Sequence, residues 1–481
     1  MTPEVVVTGA SLTLEQVHAV ARDGASARID EATRAQIRRG NEVLLAELER
    51  DVMIYGGNTG VGAGKLDAVE LDDEARFNHV MLLNHRVVGG PYASDQLVRA
   101  TILRVANHMA SGRNGVRPEL VEELLNALDR PTLPRMRMLG SLGIGDIGPL
   151  VDLAIDLLGD FELGPSEALA LFDHNSFGTA SAALAVLDCM RLADTLDATI
   201  ALDLEGFGAN LGAIDPIIAV SRPHPAIAAT RERIAALLVG SALEDHTLAR
   251  NLQDPVCFRS SVQIQAAFRD VLDRTRAILD VELNAFQGNP IVIVDEERVQ
   301  SVGQFSVVPL ALAIDSLRQA LASAMTIQLE RSIKQLQLPF NGLTRGLRVH
   351  EHGGEPGLEM LTHGMTSMVG ELRLLAAPVT NELPTTSIEE GIEDTMTLLP
   401  TAARRLAEMC AIGERVVTCS LIVAAQASDL RGHRLGTGTQ RLHDLLRTAA
   451  PALEPNGVIP ELDPVEQLVH AGAVAALAQT G

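Results

Sequence analysis

The sequence predicts a mainly α protein, a bundle of long helices with few short strands, and three observations lead there. Hydrophobic residues make up 47% of the 481 residues but aromatics only 2%, so Ala, Leu, Val, Ile and Met must fill the core, a composition that favours helices. Apolar residues recur at spacings of three and four, as in Ile102, Val105, Ala106 and Met109, and again in Val121, Leu124, Leu125 and Leu128. Strand-like runs, such as Ile291 to Val294, are few and short.

Taken in order, the second of those runs predicts a helix that begins at Pro118, where a missing N–H costs nothing because the first helical N–H groups have no partner anyway. Longer helices are expected from about Val308 to Gln337, from Leu358 to Ala376 and from Ile392 to about Ser428. Leu310 to Ala324 is apolar on more than one face, which suits a helix inside a bundle. No heptad run, tandem repeat or low-complexity segment interrupts the pattern. Breaks rich in Gly and Pro fall at 56–64, 140–149, 288–290, 353–357 and 451–464. The first four also hold unusual polar residues, and loops on a rigid scaffold are where binding chemistry tends to sit.

Charge excludes some partners. The net charge of -23, with only Lys65 and Lys334 as lysines, gives an acidic surface that repels a phosphate backbone, so nucleic acid is not expected. No run of about eighteen apolar residues marks a membrane span. The opening MTPEVVVTGA lacks a basic-then-apolar leader, and a cytoplasmic location is expected. Cys189, Cys257, Cys410 and Cys419 have no paired spacing and are read as buried free thiols.

Several motifs carry less than their spelling suggests. Gly143, Gly145 and Gly148 spell G-x-G-x-x-G, but PTLPRMRM precedes them where a dinucleotide fold needs a strand of a βαβ unit. Gly60 to Lys65 lacks the remaining residues of a phosphate loop. His350 and His352 have no further ligands at matching spacing, so no metal is expected. Glu389, Glu390, Glu393 and Asp394 read either as a solvated helix start or as part of a site. Tyr55 opens the loop YGGNTGVG, and a tyrosine on such a loop is either a surface residue or a movable acid/base.

From YGGNTGVG onward the chain resembles the aromatic amino acid ammonia-lyases, the histidine, phenylalanine and tyrosine ammonia-lyase family. The likeness continues in order through SGRNGVRPELVEELLNAL, QDPVCFRSSVQIQAA, ELNAFQGNP, GQFSVVPLALAID, FNGL, PTTSIEEGIEDTM and LGTGT, over roughly residues 5 to 450. The resemblance implies the family's long-helix bundle and a homotetramer whose active sites draw on several subunits. It suggests a lyase-like region with the Tyr loop over 1–200, a central bundle over 201–430 and a helical cap over 431–481. It also implies roles: Tyr55 as catalytic base, Arg259 as clamp for a substrate carboxylate, and Asn58, Gly62, His85, Asp173, Asn175, Gln253, Gln304 and Phe305 around the substrate. Glu390 and Glu393 fall where the family has Gln and His.

The family's electrophile, methylidene-imidazolone, forms when an Ala-Ser-Gly triad cyclises and its serine loses water. Here GSLGIGDIGPL aligns Gly143, Ile144 and Gly145 with that triad, and Ile144 has no hydroxyl to lose. The expectation is therefore an enzyme without that cofactor, for which ammonia release from an aromatic amino acid is disfavoured. It would catalyse elimination, addition, cyclisation or isomerisation on a small carboxylate or carbonyl compound already activated for proton transfer, as an enzyme of specialised metabolism. Tyr55 would move the proton, and Glu390 or Glu393 would act opposite it. Two alternatives stay open: a catalytically silent homologue with a binding role, and a true ammonia-lyase with another electrophile.

Overall fold

The computed structural model describes residues 4–69, 74–350, 356–380, 387–454 and 458–479. Helices dominate, and the described strands form three two-stranded ladders. Among the described residues no helix is long and apolar enough to cross a membrane, and no cluster of His, Cys, Asp or Glu is arranged to hold a metal. His352 lies outside them.

The contacts divide the chain into two units. The first comprises Met1–Leu187, Thr275–Asp315 and Pro378–Arg404; the second comprises Asp188–Arg274, Ser316–Ala377 and Arg405–Gly481.

In the first unit the helix Asp95–Ala110 is capped by Ser94, whose hydroxyl accepts from the Leu97 N–H, and is buried almost all round from Val98 to Ala110. Ile102, Val105, Ala106 and Met109 are all in that core. It packs against the helices Leu14–Ala21 and Pro118–Asn126, the latter with proline in its first turn. The helix Glu31–Glu49 supplies Val43, Leu44 and Leu48 to a smaller cluster completed by Ile54 and Val292. Val292 belongs to the hairpin in which Ile291–Ile293 pairs antiparallel with Arg298–Gln300. This cluster underlies the Tyr55 loop.

The predicted helices are present with shifted ends. Val308–Leu336 stops just before Pro339, whose ring and missing N–H end a helix. Leu361–Leu375 starts three residues late. The last long helix runs Leu399–Arg431 rather than from Ile392, because Ile388 and Glu393 form a bridge and Leu398 has φ 48, outside helical space. Around the Gly143–Gly148 spelling, the strand Arg137–Leu139 pairs antiparallel with Gly89–Tyr92, so there is no parallel βαβ unit.

In the second unit, buried carboxylates are matched with donors. Asp203 accepts from Gln328 Nε2, Arg331 Nε and Gln335 Nε2 at 2.9, 3.0 and 2.8 Å. Glu205 accepts from the Ser241 and Thr439 hydroxyls and the Gly436 N–H. Cys189 and Cys410 are buried here as free thiols.

Candidate active site

Most of the candidate residues belong to the first unit. Ile54, buried in the small apolar cluster, anchors the chain just before Tyr55. Asn58 fastens the loop from inside: its Oδ1 accepts from the Ile54 N–H at 2.8 Å and its Nδ2 donates to the Val52 carbonyl at 2.9 Å. Both ends of that amide are committed to the loop's own backbone, so Asn58 shapes the turn instead of reaching outward. Gly62, at φ 58, turns the chain so that its N–H donates to Tyr55 Oη at 2.7 Å. The phenol oxygen accepts there, which leaves its own proton available to a third group.

An acidic wall faces this tyrosine. Glu389 Oε2 accepts from the Ala63 N–H at 3.1 Å and lies against Gly62, whose φ of 58 favours glycine. Burial pushes the Tyr55 phenol up to about 12, with Asp173, Glu393 and Glu389 adding to the rise and the Gly62 N–H opposing it. Burial and Glu393 push Asp173 up to about 8. Glu393 is raised by burial and by Glu389 and Asp394. Negative charge is thus crowded here, and Tyr55, Asp173 and Glu393 lean toward their neutral forms. Glu389 and Glu390 are both exposed, at φ 51 and 57, and it is Glu389 that bonds the Tyr loop. Two adjacent glutamates give no sequence signal for which one makes that bond.

The loop at Gly143–Gly145 is clamped from two sides. The Thr397 hydroxyl donates to the Gly143 carbonyl at 2.6 Å, and the Thr397 and Leu398 N–H groups donate to the Leu142 carbonyl at 3.2 and 3.0 Å. Asn175 Oδ1 accepts from the Gly145 N–H at 3.2 Å, while its Nδ2 donates to the Phe305 carbonyl. Asp146 accepts from Ser141 Oγ and from the Gly178 N–H, both at 2.6 Å, and burial still pushes it up to about 6. Gly143 and Gly145 have φ 74 and 94, and Ile144 between them is buried. Thr397 was not singled out from the sequence; nothing in its surroundings there marks a hydroxyl that crosses to another loop.

The remaining candidates divide. His85 stacks on Phe172, with ring centroids 5.0 Å apart, and its Nδ1 bonds the Met81 carbonyl at 2.7 Å. Phe305 is half-buried and Gln304 is exposed. Gln253 and Arg259 lie in the second unit. There Arg259 Nε donates to the Asp254 carbonyl at 2.6 Å, and Gln253, with its amide oxygen turned toward Arg259, accepts from both terminal nitrogens at 3.0 and 3.2 Å.

The family model described as aromatic amino acid lyase matches residues 12–163 and 158–448. Proteins named histidine ammonia-lyase from Gloeobacter violaceus and Symbiobacterium thermophilum are each 30% identical, over 98% of this chain and 97% and 98% of their own lengths. Among solved structures, histidine ammonia-lyase from Trypanosoma cruzi superposes with a TM-score of 0.91 at 24% identity, covering 99% of this chain and 95% of that one. Ergothionase from Treponema denticola, in complex with desmethyl-ergothioneine sulfonic acid, gives 0.91 at 24% over 98% and 99%. At these identities the two structures establish the fold.

Two expectations are overturned by these relatives. A chain this similar, over nearly its whole length, to proteins named histidine ammonia-lyase is not set apart from their reaction by one loop, so an enzyme independent of methylidene-imidazolone, with ammonia release disfavoured, does not stand. The expected absence of that cofactor falls with it, since it rested on Ile144 alone. The family match runs through residues 12–163 and 158–448, so the scaffold around that three-residue segment is retained. As side chains, Gly143, Ile144 and Gly145 do not themselves fit a ring made by dehydrating a central serine. The loop's hydroxyl belongs to Ser141, which is bonded to Asp146.

Proposed function

The chain belongs to the aromatic amino acid lyase family, and on that premise we propose that it is an ammonia-lyase acting on histidine or a closely related cationic α-amino acid. The observation that carries the reading is the 30% identity, end to end, to proteins named histidine ammonia-lyase. The acidic wall supports the same substrate class. An α-ammonium group, and an imidazole able to carry a second positive charge, would be drawn to Asp173, Glu389 and Glu393, whereas an apolar ring would gain nothing from them.

The elimination breaks the Cβ–H and Cα–N bonds and forms a carbon–carbon double bond. Tyr55 is proposed to take the β-proton. A phenol held near 12 is a poor base, and a cationic substrate lying against the carboxylates offsets the charge that raises it. Glu393 and Glu389, in place of Glu390, are proposed to face the substrate cation. Arg259 is proposed as the carboxylate clamp, on the strength of its motif and its exposed side chain, whose planar fork Gln253 and the Asp254 carbonyl hold in place. Val308 and Leu312 are 40% and 49% exposed on a helix stretch that is apolar on several faces, which supports the proposed homotetramer with shared sites. Sedimentation reporting a stable monomer at micromolar concentration would remove that support.

The functional test incubates the protein separately with histidine, phenylalanine and tyrosine and measures released ammonia and the absorbance of the unsaturated acid. Release from histidine is expected. No release from any of the three would sink the reading, and release from phenylalanine or tyrosine alone would overturn the cationic substrate.

A further inference from the structure

Beside Asp173 the first unit holds a cavity of about 10 Å³, lined in part by Asn114, Ser166 and Asp173. That is room for one guest the size of a water molecule. Its polar lining is one-sided. Ser166 is 6% exposed, and its Oγ has no hydrogen-bond partner. The Oδ1 of Asn114 is also buried and unpaired, while its Nδ2 faces Nδ1 of His108 at 3.4 Å. Among the described residues the Asp173 carboxyl has no donor; what acts on it is burial and the charge of Glu393. Leu44 and Val292, from the apolar cluster under the Tyr55 loop, complete much of the wall. Leaving buried polar oxygens without partners is costly, and this wall offers two of them, Ser166 Oγ and Asn114 Oδ1, beside the part-buried carboxyl of Asp173.

The guest that would satisfy them must be small, rich in N–H or O–H donors, and positively charged. Water meets the first two conditions and brings no charge. We infer that this cavity binds one ammonium ion, the nitrogen product of the elimination. The inference rests on the ammonia-lyase reading for the guest's origin, and on the cavity itself for its size and charge. Ammonium carries four tetrahedral N–H donors to offer to Asp173, Asn114 and Ser166, which line the cavity, and its charge draws the Asp173 carboxyl, pushed up to about 8 by burial, back toward carboxylate. A methyl group on the nitrogen exceeds the space.

Thermal unfolding of the full chain in ammonium, sodium and methylammonium chloride, at matched ionic strength, tests the site. The midpoint should rise and saturate with ammonium, while methylammonium tracks sodium. Asp173→Asn should weaken the ammonium response about tenfold or more, as expected for a lost charge-assisted hydrogen bond, and Ser166→Ala should weaken it less. Line broadening of isotope-labelled ammonium by NMR, present with the wild type and lost on Asp173→Asn, gives a second readout that does not depend on unfolding. Equal midpoints in all three salts would overturn the site, as would an ammonium response that survives Asp173→Asn unchanged. A wild type that releases ammonia from histidine but shows no ammonium-specific response removes the cavity site and leaves the ammonia-lyase reading standing. One that binds ammonium and releases none from histidine keeps the site and removes that reading.

Discussion

Asp203 of the second unit and Asp173 of the first are both aspartates that burial holds above the usual carboxylate range, but their surroundings differ. Asp203 is fully enclosed and accepts from an arginine and two glutamines. Asp197, in the same unit, accepts from Gln265 and Arg269. Asp173 faces another acid and has no such donor among the described residues. A buried carboxylate matched by donors is complete without help and serves the fold. One left unmatched beside a tyrosine is a defect that a cationic ligand would repair. Perturbed groups of the second kind, in company with Tyr55 and Glu393, are what point to a site.

The comparison can be broken at three places. The largest effect is expected at Tyr55: Tyr55→Phe should lower turnover by about 10²–10⁴-fold while largely sparing KM, because the ring keeps its packing and only the proton carrier is lost. Steady-state rates with histidine check this, and undiminished turnover would remove Tyr55 from the mechanism. Next comes the matched network. Arg331→Ala strands the fully buried Asp203 and should cost about 3–5 kcal/mol in denaturant unfolding. A loss below about 1 kcal/mol would mean that the pairing holds nothing in place.

The smallest effect, and the sharpest contrast, concerns Asp173. Its folded value of about 8 lies above the ordinary 3.8, so the folded protein keeps a proton that the unfolded chain has already released. The contribution of Asp173 to wild-type stability should therefore be fullest below about pH 4, fall as pH rises toward about 8, and level off above. Asn at this position has no proton to lose. Asp173→Asn should gain on the wild type with rising pH, by on the order of 2 kcal/mol above pH 8, allowing for the carboxyl's residual exposure. Unfolding midpoints at pH 5, 7 and 9 measure the slope, and parallel curves would show that Asp173 is matched after all.

Much of the scaffold was legible before folding because it is written in local chemistry. The period of apolar residues placed the helices Asp95–Ala110 and Val308–Leu336, and Pro118 marked a helix start. The last long helix began seven residues later than the pattern suggested. Apolar spacing continues through Ile392, but the bridge from Ile388 to Glu393 holds that stretch out of helix. For the candidate site, the ordered motifs picked out Tyr55, Gly62, Asp173 and Asn175, which the fold brings into one unit. They gave no sign that the Asn58 amide bonds its own loop or that Glu389, beside Glu390, bonds the Tyr loop. At the triad loop the missing hydroxyl of Ile144 and the likeness that runs the length of the chain point in opposite directions.

The sequence by itself determined the helical class, the acidic character and the family resemblance, since each is a property of composition, period or ordered motif. Only the tertiary structure decided which charges are satisfied. Whether a carboxylate is matched depends on donors far away in sequence, as when Gln335 reaches Asp203 across 132 positions, or on their absence, as at Asp173. Burial then turns that difference into chemistry, because removing water makes an unmatched charge costly and a matched one nearly silent.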